Sequence, residues 1–190
     1  MTTLLTEVTI PTLETGRLLL RPWTLADASR MQELAGNKCV ARYTRLPHPY
    51  ADGEAEKFIA THADKFEQGT ALILAITLAQ TGEIIGCIGL HGEFKSGIAE
   101  LGYWLGAKYW GKGYCTEAAR AMVDYAFRAL AVCRVHAGHF AQNPASGRVM
   151  EKVGMTPEGR RRQHLFRWGE YDDEVLYGML RAEFEVLAAN

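Results

Sequence analysis

The chain has 190 residues, 48% hydrophobic and 23% charged, with a formal net charge of -1. That balance suits one domain over 1–190 with a sizeable core. It lacks the bulk positive charge that draws proteins to nucleic acid or anionic membranes. No stretch approaches the roughly 18–20 apolar residues of a membrane span, and the longest apolar run, Ala71 to Ala79, is strand-sized and interrupted by Thr77.

Residues 1–15 read as a loose lead-in. They lack a basic segment followed by an apolar core, so no secretory signal is expected. Cys39, Cys87, Cys115 and Cys133 show no CxxC spacing and no companion His cluster. Cys87 and Cys133 sit in strand-like runs and read as small core residues in a reducing cytoplasm, with no metal.

Arg17 to Arg21 predicts a first strand. Thr24 and Asp27 have the spacing of a capping box and open a short helix carrying Leu25, Ala28, Met31, Leu34 and Ala35. After the break at Pro47 and Pro49, a second helix starts at Asp52, turns Phe58, Ile59, His62 and Phe66 inward, and closes at Gly69. Three strands follow: Ala71 to Leu78, Glu83 to Leu90, and Ile98 to Leu105, the first two joined by a turn at Thr81-Gly82. In the third, Ala99, Leu101, Tyr103 and Leu105 share one face, and Glu100, Gly102 and Trp104 the other.

A glycine turn, Gly111-Lys112-Gly113, leads into a long helix from Tyr114 to Leu130, with Ala118, Met122, Tyr125, Ala126 and Ala129 at helical spacing. Cys133 to Phe140 is another strand. Asn143-Pro144 reads as an N-cap followed by proline at the first helical position, for a helix ending near Gly154. Gly159 to Arg167 and Glu174 to Leu180 close the series around a turn at Trp168-Gly169-Glu170. The expected fold is α/β (α+β), a single mixed, mostly antiparallel sheet of about seven strands flanked by about four helices.

Chemistry concentrates between Ile98 and Leu130. The N-terminus of a helix offers unpaired backbone N–H groups and a partial positive charge, a natural seat for a pyrophosphate. Glycines at 111 and 113 let a ligand approach the backbone, Lys112 adds a cation, and Thr116 adds a hydroxyl. The run is neither a P-loop nor a dinucleotide fingerprint. Alone, it is equally a plain connection between strand and helix.

The run Tyr109-Trp110-Gly111-Lys112-Gly113-Tyr114-Cys115-Thr116-Glu117-Ala118 closely resembles the acetyl-CoA motif of the GNAT acetyltransferase superfamily. Glu14 to Arg21, Glu100 to Leu105, and Asn143 to Ser146 with Glu151 to Met155 resemble its RimJ/RimL branch, as does the ending from Glu158 to Tyr177. The resemblance covers roughly residues 14–183. It implies a splayed sheet that takes the pantetheine arm of acetyl-CoA between the strands at 98–105 and 133–140. Tyr103, Trp104 and Leu105 would bond that arm through their backbone. The amides of Gly111, Lys112, Gly113, Tyr114, Cys115 and Thr116 would hold the pyrophosphate. Asn143 and Ser146 would touch the thioester end. Many members carry a tyrosine seven residues after the Asn as general acid; here that position is Met150, so no such acid carries over.

The implied reaction is N-acetylation of a primary amine, favouring a protein N-terminal amine, by direct attack in a ternary complex. Glu100 is the candidate base, working through a water, or else a structural partner of a surface cation. Ser146 is the candidate for the sulfur, or else a helix-capping hydroxyl. A backbone N–H near Tyr103 or Trp104 would serve the oxyanion. His91 could face the acceptor, as could Tyr43, His48 and Tyr50 from the loop at 39–51. His136 and His139 are three apart on one strand and point to opposite faces, so they are no metal pair. Arg160, Arg161, Arg162 and Arg167 read as a solvated strand offset by Glu158, Glu170, Asp172 and Asp173. A homodimer through the late strands is a further implication. The competing reading is a non-catalytic acyl-CoA-binding regulatory module. Gly113→Val is expected to block the pyrophosphate and largely spare the fold.

Overall fold

The computed structural model describes residues 9–130 and 132–189, so the first eight residues of the expected lead-in lie outside it. The described residues form one eight-stranded sheet in the order β1-β2-β3-β4-β5-β6-β8-β7. The strands are β1 (Leu13–Glu14), β2 (Leu18–Pro22), β3 (Ala71–Leu78), β4 (Ile84–His91), β5 (Ile98–Leu105), β6 (Arg134–Phe140), β7 (Thr156–Arg167) and β8 (Glu170–Leu180). The helices are α1 (Ala28–Ala35), α2 (Lys38–Arg42), α3 (Glu54–Ala60), α4 (His62–Glu67), α5 (Tyr114–Arg128), α6 (Pro144–Val153) and α7 (Arg181–Ala188).

β3 and β4 read ALILAITL and IIGCIGLH and are buried along nearly their whole length. Continuous apolar runs of this kind belong at the centre of a sheet covered on both faces. β5 alternates instead. Its Tyr103 side meets α5 and α6, since the Tyr103 hydroxyl reaches Ser146 at the start of α6. Its Glu100 side meets the segment after α2, where Arg45 pairs with Glu100. α5 buries Ala118, Ala119, Met122, Val123, Ala126 and Phe127. This small-residue stripe lets the helix lie close on β4 and β5.

Every strand pair is antiparallel except β5 with β6. These two parallel strands share only Ile98↔Arg134, Ala99↔Val135 and Glu100↔His136. Beyond Glu100 they part, and Leu101 to Leu105 face β6 across a gap.

The differences from the expected elements have local causes. β1 adds a two-residue strand. The Thr24–Asp27 pair opens a 3-10 turn over Leu25–Asp27, the Asp27 carboxylate accepting from the Thr24 amide at 2.8 Å, before α1 begins at Ala28. The helix expected from Asp52 breaks at Thr61, whose hydroxyl donates back to the Phe58 carbonyl at 2.8 Å. α2, capped by the Asn37 side chain accepting from the Cys39 amide, and α7 had no counterpart in the pattern. β7 and β8 run on to a two-residue turn at Trp168 and Gly169, with φ of 52° and 86°, the left-handed pair that suits a tight hairpin. Of the two cysteines expected in the core, Cys87 is buried and Cys133 is exposed.

Candidate active site

The turn before α5 holds two glycines in left-handed conformation, Gly111 at φ 74° and Gly113 at φ 80°. A Cβ on Gly111 would meet nothing within 4 Å, and one on Gly113 only the Arg17 guanidinium at 3.4 Å. The glycines are therefore there for backbone shape and an open approach rather than for internal packing. Gly113 occupies the N-cap of α5, and no side chain caps that end. A 15-residue helix thus presents its first-turn amides and its positive pole to this opening.

The turn is braced from Thr15 and Arg17, just before β2. The Glu117 carboxylate accepts from the Thr15 hydroxyl at 2.6 Å, the Arg17 amide at 2.8 Å and the Arg17 guanidinium at 2.7 Å. Arg17 also donates to the Lys112 carbonyl at 3.0 Å and lies over the Tyr114 ring. Burial alone would raise the Glu117 carboxyl, but the hydrogen bonds from Thr15 and Arg17 hold it below the ordinary carboxylate value. Trp110 donates from its indole to the Leu105 carbonyl at 2.8 Å, tying the turn to the end of β5.

The gap between β5 and β6 opens beside this turn. From β5, the Tyr103 hydroxyl donates to the Ser146 carbonyl at 3.0 Å. With its one proton used there, it accepts from the Ser146 hydroxyl, also at 3.0 Å. Burial holds the Tyr103 hydroxyl well above the usual phenol value. Burial also pushes the Cys115 thiol up to about 12, so this residue is an un-ionised wall. Asn143 stands at the N-cap of α6 with Pro144 next, as expected, but its side chain makes no capping bond. Met150 is fully packed in the core.

Glu100 sits on the opposite side of β5, 3.2 Å from the exposed Arg45 guanidinium. It is in register with His91 on β4 and His136 on β6. Three titratable side chains thus form a row where the strands part, bordering an open cavity of about 360 Å³ that Glu93 and Ser96 also line. His91 ends its strand in an exposed position, but its ring folds back over Gly89. Loss of surrounding water keeps its imidazole below the ordinary value, with Glu100 working in the other direction.

The loop expected near the acceptor is held by contacts the sequence did not disclose. Arg167 donates to the carbonyls of Ala41 (2.9 Å) and Leu46. Tyr43 packs edge-on to Phe140, and His48 against Trp168. Arg160 pairs with Asp173, as the expected offset has it, whereas Arg161 pairs with Glu174, outside the expected set, and Glu158 pairs with Arg134 on β6. Two further residues escaped the sequence reading. Glu117 lay inside the glycine-turn motif without an assigned role; its signal was the Thr15-Gly16-Arg17 run it binds. His139 was weighed only as half of a metal pair with His136, yet its ring faces the first turn of α6.

A mixed sheet parted between two parallel strands, with an uncapped helix start and glycine turn at the opening, is the architecture of an acyl-CoA-dependent N-acetyltransferase. The chain belongs to the GNAT acetyltransferase family, whose acetyltransferase (GNAT) domain model matches residues 17–156. It is 33% identical to an uncharacterized N-acetyltransferase, YoaA, of Bacillus subtilis (strain 168), over 90% of this chain and 97% of that one. It is 31% identical to the ribosomal protein uS5-alanine N-acetyltransferase of Escherichia coli (strain K12) over 58% of each, in keeping with the RimJ/RimL-like branch. A GNAT-family acetyltransferase from Bacillus anthracis superposes with a TM-score of 0.81 at 26% identity, over 90% of this chain and 99% of that one. The same fold recurs in the RimL ribosomal-protein acetyltransferase in complex with coenzyme A, with a TM-score of 0.79 at 21% identity, covering 90% and 98%. Among the described residues no helix is long and apolar enough to cross a membrane.

Proposed function

We propose that this enzyme moves an acetyl group from acetyl-CoA to a primary amine, preferentially a protein N-terminal amine, by direct attack in a ternary complex. The observation that carries the reading is the parting of β5 from β6 after Glu100, beside the open, uncapped start of α5. The amides of Gly111 to Thr116 bind the pyrophosphate, with Lys112 adding charge. The backbone of Tyr103, Trp104 and Leu105 takes the pantetheine arm as a sheet edge takes an added strand. Asn143 and Ser146 border the thioester end.

On the other side of β5, Glu100 accepts the amine proton through a water, since an ammonium has no lone pair to attack with. Arg45 holds the Glu100 carboxylate in place at 3.2 Å until an acceptor enters the cavity. The attack forms a C–N bond, and an N–H near Tyr103 or Trp104 steadies the oxyanion. The C–S bond then breaks and the sulfur leaves as thiolate. Holding both reactants in line supplies much of the rate. The similarity to the uS5-alanine N-acetyltransferase supports an α-amino acceptor.

The test is thiol release from acetyl-CoA against peptide N-termini, polyamines and amino acids, with calorimetric CoA binding alongside. Turnover on N-terminal peptides, reduced about 10²-fold or more in Glu100→Gln at unchanged CoA affinity, is expected. CoA binding without turnover on any amine would instead make the chain a non-catalytic acyl-CoA-binding module, the reading favoured by Met150 at the usual acid position.

A further inference from the structure

The departing thiolate needs a proton, and the hydroxyls beside the thioester end are committed. The Tyr103 hydroxyl donates to the Ser146 carbonyl and also lies 3.0 Å from the Ser146 hydroxyl, so the two are engaged with each other. Tyr177 donates to the Glu151 carboxylate at 3.0 Å. Met150 has none to give. Cys115, a half-buried thiol held un-ionised, would yield a thiolate no better solvated than the one it protonated.

A further titratable group stands on this side of the sheet. His139 on β6 is 8% exposed and lies on the α6 side of the sheet, the side that Tyr103 occupies across the gap. Its Nδ1 lies 2.8 Å from the Phe140 carbonyl, and a carbonyl only accepts, so Nδ1 carries the proton. That bond fixes the ring and leaves Nε2 as the free nitrogen. Nε2 points at the first turn of α6, where a Cβ on Gly147 would come within 2.7 Å of it. A glycine is needed there to seat the ring. The Tyr177 ring packs against it at 5.8 Å between centroids.

We propose, resting on the acetyltransferase reading above, that His139 is the proton donor to the CoA sulfur, in the role usually given to a tyrosine. In its doubly protonated form it gives the Nε2 proton to the sulfur as the C–S bond breaks, producing CoA thiol and a neutral imidazole. Glu100 meanwhile holds the proton taken from the amine on the opposite side. Solvent then resets both groups, and no oxidant or other reactant is needed. The titratable groups around His139 are Tyr177 on β8, Glu151 on α6 through Tyr177, and Tyr103 on β5.

The first test is the pH profile of kcat with an accepted amine. The wild type should lose rate on the alkaline side, as a reaction that needs a general acid does. His139→Gln should lack that limb and fall about 10²-fold in kcat, with CoA affinity kept. An unchanged kcat and profile would overturn the proposal. Because Gln may disturb the packing over Gly147, a second test uses the wild-type chain. The His139 ring resonance is followed by NMR during addition of CoA and of desulfo-CoA. A shift that depends on the sulfur is expected, and identical shifts with the two ligands would overturn the proposal while leaving the acetyltransferase reading intact. Failure of CoA to bind at all would remove that reading and this one with it.

Discussion

Glu117 shows how one carboxylate links distant parts of the chain. It lies in the first turn of α5, where the helix pole favours a negative charge, and it collects donors from Thr15 and Arg17, about 100 residues away. Its pKa is depressed in the folded state by those donors. Its contribution to stability is therefore complete above the ordinary Glu value and is lost as pH falls through the lower, folded value. Glu117→Gln should lower stability by about 1–2 kcal/mol at neutral pH, the partly exposed Arg17 limiting the effect. The variant should also lose less stability than the wild type as pH falls through and below the ordinary Glu range. Thermal melts across that range check both. CoA affinity should fall as well, because Arg17 also holds the Lys112 carbonyl of the turn.

Among the elements, the glycine turn and α5 carry the binding argument. Gly113 combines left-handed φ with the N-cap position, so Gly113→Val adds backbone strain of about 1–2 kcal/mol to any steric block. The expectation that this substitution spares the fold is thus revised: CoA affinity should drop together with the melting temperature. Gly111→Ala meets the same conformational objection at φ 74°. Calorimetry with a thermal melt on the same samples separates the two effects, and an unchanged CoA affinity in folded Gly113→Val would remove the pyrophosphate from this turn. Element boundaries were legible where the pattern was pure. β3 and β5 fall on the residues that alternation and apolar runs marked. The break at Thr61 was not, because a hydroxyl turning back on its own helix leaves the hydrophobic spacing untouched.

At the scale of the molecule, the β7–β8 hairpin reaches across to the loop after α2. Arg167 is the tie, its guanidinium on two carbonyls of a loop more than 120 residues away in sequence. Burial lowers the Arg167 pKa, yet the group stays charged at any ordinary pH. Arg167→Ala should free the loop that carries Tyr43 and Arg45. The KM for the amine should rise several-fold while CoA affinity stays as in the wild type, since the proposed CoA contacts lie on the other side of β5. Steady-state kinetics with both substrates varied is the check. A change confined to CoA would show that this loop does not serve the acceptor.

The sequence by itself determined the order of the main strands and helices, the glycine turn at the head of α5 and the resemblance to the GNAT family. Those are local properties: side-chain periodicity, φ-permissive residues and short motifs act over a few residues. Tertiary structure decided which groups meet. Glu100 stands in a row with His91 and His136 only because β4 and β6 flank β5 in that register. Tyr103 and Ser146 bond each other only because α6 returns over the gap. His139 reads as an isolated strand histidine until Gly147 and the Phe140 carbonyl fix its ring. Hydrogen-bond partners and proton positions depend on distances between segments far apart in the chain, and no local pattern encodes those.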